Sequence, residues 1–504
     1  MFKLSRLVIV YAIAAPLALI LGLLVVWPGL FPVEVIGAVV LFLVLPIFLQ
    51  WHHILLIVFW NTVLNARFLP GQPDFWLVMA IFSFTISFLT HIIAGKRFLR
   101  APAMTRPLLF LGAVVLGTAW FRGGIGLAAL GGSTFGGRYY VFLIGAILGY
   151  FAFTSEAIPL AKAQKMSSLF FLSGSTNVLS NLIYMAGPFF FILYLVVPTG
   201  NALSQYYAEG SSTEMARIGG MGMASFFVMC FLFMKFGLRG LFDWSKPWRF
   251  IAMFLSVAAC GLSGFRSSML SLILLFVIQF YLEGLFRTRM LPIVVAVAIA
   301  SFIPVLFFAK SMPEPVQRAI SFLPIEVSSD VLSGAKSSEQ WRFDMWEEVS
   351  KMVPRYLLIG KGYSIDRDEI FALTEAGRVG AVVNSYEGSM LAGDYHSGPL
   401  SVIIPFGLPG VIGFLWVLVS GYRVLSRNYR FGDVQLRRIN RLLLSCFLTR
   451  CFCFFFIFGA LSTELCVFTG LCGFSVCLNG GIRRRAAPKP MPAPVTRALA
   501  MDPG

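Results

Sequence analysis

Charge is what this sequence has least of. Asp, Glu, Lys and Arg fill 12% of its 504 positions, about half of what a water-soluble domain carries. Hydrophobic residues fill 58%, so a soluble globular protein is excluded. Alternating polarity over ten-residue segments is also missing, which argues against a membrane β-barrel. Cysteine occurs eight times (Cys230, Cys260, Cys446, Cys451, Cys453, Cys466, Cys472, Cys477), always in or beside an apolar run. No disulfide framework outside the membrane is therefore expected. Cys451-Phe-Cys453 is too closely spaced for a zinc pair, and the eight are read as apolar filler. No Walker-type loop, His-Glu-x-x-His or Gly-x-Ser-x-Gly motif occurs, and neither a bound metal nor an organic cofactor is expected.

What is present is a series of apolar runs of membrane-crossing length, since a helix needs about 20 such residues to span a bilayer. They fall near 7–27, 34–50, 53–70, 75–94, 107–121, 139–154, 172–197, 222–236, 249–263, 267–285, 290–309, 398–420, 442–460 and 464–480. The expected fold is an all-α polytopic membrane protein with 12 to 14 transmembrane helices. Lys3 and Arg6 precede the first run, which is too long for a signal peptide and lacks a cleavage site, so a retained anchor is expected.

The net charge of +17 raises the possibility of a nucleic-acid partner, and its distribution excludes one. With the amino terminus inside, the basic clusters (Lys96 to Arg106, Lys162/Lys165, Lys235 to Arg249, Arg287/Arg289, Arg423 to Arg441, Arg483 to Arg485) all fall on the cytoplasmic side of the alternating count. Both termini are then cytoplasmic, in a bacterial inner membrane. Four regions follow: a helical bundle over 1–309, one long outer loop over 310–397, further spans over 398–480 and a disordered Pro-rich tail over 481–504.

The outer loop holds 13 of the 23 acidic residues and 9 basic ones. Trp341, Phe343, Trp346, Val349, Met352 and Val353 recur at near-helical spacing, so it folds, as short helices. Ser337-x-x-Gln340 reads as a capping box opening the main helix, Pro354 as its end and Gly360-Lys361-Gly362 as a turn. The remaining outer loops, including the Gly-rich 122–138, are short, and no internal repeat is evident.

Histidine occurs only four times. His52 and His53 are placed at a cytoplasmic turn and His91 near the inner end of a span, leaving His396 alone on the outer face. A group titrating near neutrality at a membrane rim is suited to taking a proton from a hydroxyl. The competing reading is an interfacial histidine with no chemical role. Arg266 interrupts an apolar stretch at an outer hairpin, and an ionisable residue at membrane depth is a functional candidate. A snorkelling arginine is the alternative. Arg342 lies on the loop helix, where pairing with Glu339 or Trp346 competes with a binding role. Arg217 is a further outer-face candidate for substrate binding, for which a plain interfacial role suits better. Arginines grip phosphate bidentately. Such a set beside a histidine fits transfer of a glycan from a lipid pyrophosphate to a sugar hydroxyl. The first outer loop, 28–33, has no acidic pair of the kind metal-dependent lipid-linked glycosyltransferases carry there.

Three pieces of sequence carry a family resemblance: Gly264-Phe265-Arg266-Ser267-Ser268; Arg342-x3-Trp346 with Pro354-x4-Ile359-Gly360-Lys361-Gly362-Tyr363; and Asp394-x-His396-Ser397 followed by Phe406-Gly407-Leu408-Pro409-Gly410. In order, spacing and side of the membrane, the set resembles the bacterial O-antigen ligase and O-antigen polymerase family over roughly 250–420. It departs at Ser397, where the family usually has Asn, and at Phe265, where Ser is common. The resemblance implies a glycosyltransferase of GT-C-like architecture with a large periplasmic loop. It implies inverting, metal-independent transfer from an undecaprenyl-pyrophosphate-linked oligosaccharide to a glycan or lipid-core acceptor, for O-antigen, lipopolysaccharide or exopolysaccharide synthesis. Arg266 and Arg342 would hold the pyrophosphate and His396 would be the base. Membrane lipid and polysaccharide-assembly proteins are the expected partners. Two rivals stand beside it: a polysaccharide flippase or other secondary transporter, disfavoured because the spans lack buried carboxylates, and a structural partner docking through the loop.

Overall fold

The computed structural model describes residues 46–483 apart from 68, 70, 96–97, 123–124, 126–134, 211–214, 366–367, 369–370 and 372–385. The expected anchor at 7–27, most of the run at 34–50, the first outer loop and the carboxy-terminal tail lie outside the described residues, as do Lys96, Arg97, Arg484, Arg485 and most of the Gly-rich loop. The described part is helical throughout, with two isolated β-bridges, Asn65 with Asp74 and Phe135 with Ile365.

Helices of the bundle are α1 (Pro46–Phe59), α2 (Phe75–Ala94), α3 (Pro102–Phe121), α4 (Gly137–Phe153), α5 (Leu160–Leu172), α6 (Leu179–Ala186) and α7 (Gly200–Glu209). They continue with α8 (Met221–Leu241), α9 (Trp248–Gly261), α10 (Arg266–Leu282) and α11 (Met290–Phe308). The loop adds α12 (Glu314–Ile320), α13 (Ser329–Tyr356) and α14 (Glu387–Leu391), and the chain returns as α15 (Gly398–Phe431), α16 (Arg437–Phe456) and α17 (Leu461–Asn479). Among the described residues seven helices are long and apolar enough to cross a membrane, and α1, α4, α9 and α10 are shorter apolar helices. The protein is an all-α polytopic membrane protein. The core of the bundle is the packing of α17 on α4, α15 on α3, α9 on α8 and α10 on α16. Alone among the described long spans, α11 has no buried residue, and only Met290, Leu291 and Val294 pack, half-buried, against the core.

Several expected boundaries are corrected. His52 and His53 occupy no turn: α1 runs through both, and both are buried, with His52 Nδ1 2.9 Å from Ser83 Oγ and His53 Nε2 3.2 Å from Phe153 O. The run at 53–70 is helical only to Phe59. The run at 172–197 is not one span. Helix starts at Leu160, passes through a 3-10 stretch (Ser173–Val178) and ends at Ala186, where Gly187 turns at φ 95°. Hydropathy missed this because the helix opens on polar residues, Lys162, Gln164 and Lys165, and because Pro188–Leu195 is apolar yet only a separate 3-10 segment. In the loop, α13 is a 28-residue helix rather than a short one. Ser337 caps nothing: it lies mid-helix and donates to Ser333 O, while Ser328 is the residue before the helix. Pro354 does not close α13. It stands two residues from the end, where its missing N–H removes a single backbone bond.

Two of the motifs singled out in the sequence are the two sides of one junction. Pro409 has no N–H to offer Pro405 O, and α15 kinks at Gly407 (φ 61°). The freed backbone groups are taken up by the segment leaving α13: Gly362 N donates to Pro405 O (3.0 Å), Lys361 N to Ile404 O (2.7 Å), and Leu408 N to Leu357 O (2.7 Å). Arg122 clamps the outside, donating from Nε to Gly360 O (2.7 Å) and from Nη2 to Ile359 O (2.9 Å). A Cβ at Gly360 would stand 1.9 Å from Pro405 O. Gly360→Ala is thus expected to open this junction, at a cost of about 1–3 kcal/mol or more. The measurement is limited proteolysis between residues 354 and 400, with helical circular dichroism retained. Unchanged protection would contradict the junction.

Candidate functional site

Four helix starts (α8, α10, α15, α17) and two helix ends (α9, α16) gather at one end of the bundle. The basic residues Lys235, Arg239, Lys246, Arg249, Arg287, Arg289 and Arg423 to Arg441 lie at the other. At the first end α13 lies over the helix mouths. It is held by a small core of Met345, Val349, Tyr395 and Ile404, and by Trp346 Nε1, which donates to Tyr395 O (2.9 Å).

Beneath α13 are two chambers that share walls. The upper one, about 840 Å³, is lined by Arg217, Arg266, Arg318, Arg342, Glu339 and His396, among others. The lower one, about 380 Å³, continues past Arg342 and His396 to Ser268, Ser271, Arg450 and Glu464. All four residues singled out in the sequence, Arg217, Arg266, Arg342 and His396, therefore line one cavity system.

His396 is held in an uncommon conformation. Its φ is +50°, a region that costs a non-glycine residue about 1–3 kcal/mol. The strain is imposed from both sides. The Trp346 bond fixes Tyr395, and Ser397 must be extended to enter α15. The ring is edge-on to Trp341 and Phe458, with centroids 5.2 and 5.3 Å away. Nδ1 lies 3.2 Å from Asp394 Oδ1, leaving Nε2 for a ligand. The carboxylate raises the His396 pKa above the ordinary 6.5, because it stabilises the imidazolium, and is itself held below the usual carboxylate range by the same contact. Asp394 stands in the motif quoted from the sequence, but its role as the partner of the ring is visible only in the structure.

The arginines differ in how they are satisfied. Arg266 pairs with Glu339 through Nη1, so the competing reading that paired Glu339 with Arg342 is not the arrangement found. Arg217 stacks its guanidinium over Phe265 at 4.4 Å. Arg342 Nε is buried without a hydrogen-bond partner. Among the described residues no carboxylate is bonded to Arg342 or Arg318. Burial lowers the pKa of Arg342 and Arg318, and the neighbouring arginines lower both further. Four guanidiniums around one carboxylate make the upper chamber an anion site, and the bidentate geometry of guanidinium favours phosphate or carboxylate ligands. Among the described residues no cluster of His, Cys, Asp and Glu is arranged to hold a metal.

Sequence reasoning missed Arg318 and the lower chamber. Arg318 is an ordinary residue of an amphipathic loop helix until α12 is folded under α13. Glu464 corrects the expectation that the spans lack buried carboxylates: it is 5% exposed, and Arg450 donates to it from Nε (3.1 Å) and Nη2. Glu283 is half-buried with its side chain 6% exposed, and has Arg441 Nη1 at 3.1 Å, at the opposite end. Each was legible only as one charge at the edge of an apolar run, since its partner is on a different helix.

Comparison with known proteins gives one finding. Residues 251–415 match the family model described as O-Antigen ligase. The resemblance read from the motifs holds over that stretch, which runs from α9 into α15 and contains Arg266, Arg318, Arg342, Asp394 and His396. Arg217, Arg450 and Glu464 lie outside it. No curated protein matches the chain.

Proposed function

We propose that this chain is a membrane glycosyltransferase of the O-antigen ligase and polymerase type. It moves a glycan from a polyprenyl pyrophosphate, undecaprenyl in a bacterial inner membrane, to a sugar hydroxyl. The carrying observation is that four arginines and His396, whose ring is paired with Asp394, line one cavity at the end of the bundle opposite the basic clusters. Under the positive-inside rule that end faces the periplasm, and both termini face the cytoplasm. Pyrophosphate occupies the arginine chamber, where Arg266 and Arg342 neutralise the charge that develops as it leaves. His396 Nε2 takes the proton of the acceptor hydroxyl. The oxygen of that hydroxyl forms a bond to the anomeric carbon, the carbon–phosphate-oxygen bond breaks, and its electron pair departs with the lipid pyrophosphate. Attack from the face opposite the leaving group inverts the anomeric centre. Arginine supplies the charge that a divalent cation supplies in metal-dependent enzymes.

The test is reconstitution. Purified protein in lipid nanodiscs is incubated with a polyprenyl-pyrophosphate-linked repeat unit in EDTA, with and without a lipid-core acceptor. Transfer with inversion is expected in at least one arm. Chain growth on the carrier marks a polymerase, and transfer only to the lipid core marks a ligase. No transfer in either arm, with protein that binds the donor, overturns the reading.

A further inference from the structure

The lower chamber has a chemistry of its own. The upper chamber carries Arg217, Arg266 and Arg318, none of which reaches the lower one. The lower chamber instead carries serine hydroxyls, Ser268 and Ser271, and the Arg450–Glu464 pair. Glu464 lies about 4.5 Å and Arg450 about 9 Å along their helices from the mouth. The pair's charges cancel, so beyond the boundary at Arg342 and His396 the chamber offers no uncompensated cation to an anion. A carboxylate 95% buried and a guanidinium bonded to it at two points still present lone pairs and N–H groups to the cavity they line. Placing an ion pair inside a membrane domain carries a desolvation cost of several kcal/mol per ion before compensation. Ionisable groups there mark ligand sites by default. Paired carboxylate, guanidinium and hydroxyls in about 380 Å³ suit a neutral, hydroxyl-rich ligand of one sugar ring.

The order of the two chambers decides which sugar. Only Arg342 and His396, with Phe265, Ser267 and Ile457, line both, so they mark the boundary. In an in-line displacement the leaving group and the incoming hydroxyl lie on opposite sides of the anomeric carbon. Pyrophosphate on the upper arginines therefore directs the attacking hydroxyl to the lower side of the boundary, within reach of His396.

We infer that the lower chamber is the acceptor subsite, binding the terminal sugar of the acceptor, with Glu464 and Arg450 as specificity-determining groups that select which hydroxyl meets His396. This rests on the glycosyltransferase reading above.

The test separates acceptor from donor. Met223 lines only the lower chamber, and Met223→Trp fills it. Acceptor KM is expected to rise at least about tenfold, while the Kd for unglycosylated polyprenyl diphosphate, measured by displacement of a fluorescent lipid diphosphate, stays within twofold. Ser268→Thr, which adds one methyl group, is the gentler variant should Met223→Trp fail to fold. It is expected to shift acceptor KM about tenfold in the same direction. Glu464→Asp, which keeps the charge, is expected to change the ranking of deoxy-acceptors lacking single hydroxyls. An acceptor KM within twofold of the parent in both filling variants overturns the inference. So does a rise in the Kd for polyprenyl diphosphate instead, which would place the donor in the lower chamber. Failure of the unaltered protein to bind polyprenyl diphosphate at all sinks the glycosyltransferase reading rather than the subsite alone.

Discussion

His396→Ala is expected to lower the transfer rate by about 10²–10⁴-fold, the usual contribution of a positioned base, with binding of the lipid pyrophosphate retained. The pH profile gives an independent check. Only the neutral ring can accept a proton, so the rate falls as pH drops through the His396 pKa. Asp394 raises that pKa above 6.5, placing the acid limb of kcat/KM above the position of an unperturbed histidine. Asp394→Asn removes the carboxylate, so the limb is expected to move to lower pH. The plateau at high pH is expected to fall as well, because a less basic ring is a weaker base. An acid limb that stays put in Asp394→Asn would show that the titration belongs to another group. Retention of parental activity by His396→Ala would remove the histidine from the chemistry altogether.

The fold was legible where hydropathy alone decides. Phe75–Ala94 is bounded as its apolar run is, and α8, α9, α10 and α11 begin and end within a few residues of the expected spans. Errors cluster where backbone chemistry overrides hydropathy. Pro188–Leu195 is apolar enough for a span but is cut off from α6 by a glycine in a left-handed turn. Ser337 and Pro354 carry the local signatures of helix ends. The surrounding helix is nevertheless held through them by the packing of Met345 and Val349 on Tyr395 and Ile404.

The site divides in the same way. Arg266 and His396 are legible because each stands at a membrane boundary, a placement that calls for a reason, and Arg342 is legible on the loop helix through the motif it shares with the resembled family. Their meeting is a matter of chain topology: residues 130 apart, Arg266 and His396, are joined only because α13 roofs the mouths of α10 and α15. Arg450 and Glu464 are a different case. Arg450 stands within the expected span 442–460 and Glu464 at the edge of the next, and only their apposition across α16 and α17 shows an ion pair at a cavity floor. Arg122, Gly360 and Pro409 show a third case. The sequence displayed the motifs, but their common function as one backbone junction depends on where a kink exposes two carbonyls.

The arginines differ in satisfaction, and this ranks their expected effects. Arg342 has a buried Nε with no partner and stands at the boundary of both chambers, so its loss removes a group that ligand alone satisfies. Arg342→Ala is expected to reduce kcat/KM by about 10²–10³-fold, the scale for removing one preorganised donor from a developing negative charge. Arg342→Lys keeps the charge and loses the fork, and is expected to recover only part of the deficit. Arg266 already spends part of its interaction on Glu339, so Arg266→Ala is expected to cost less than Arg342→Ala, and Glu339→Gln to tighten donor binding. Mutual repulsion of the cations also predicts a stability signature. Polyprenyl diphosphate relieves that repulsion and binds only the folded chain. At 100 times its Kd it is expected to stabilise the protein by about 2.7 kcal/mol, an effect weakened by salt. Thermal unfolding with and without the lipid diphosphate, in the parent and in Arg342→Ala, measures it. Equal stabilisation of both proteins would place the diphosphate away from Arg342.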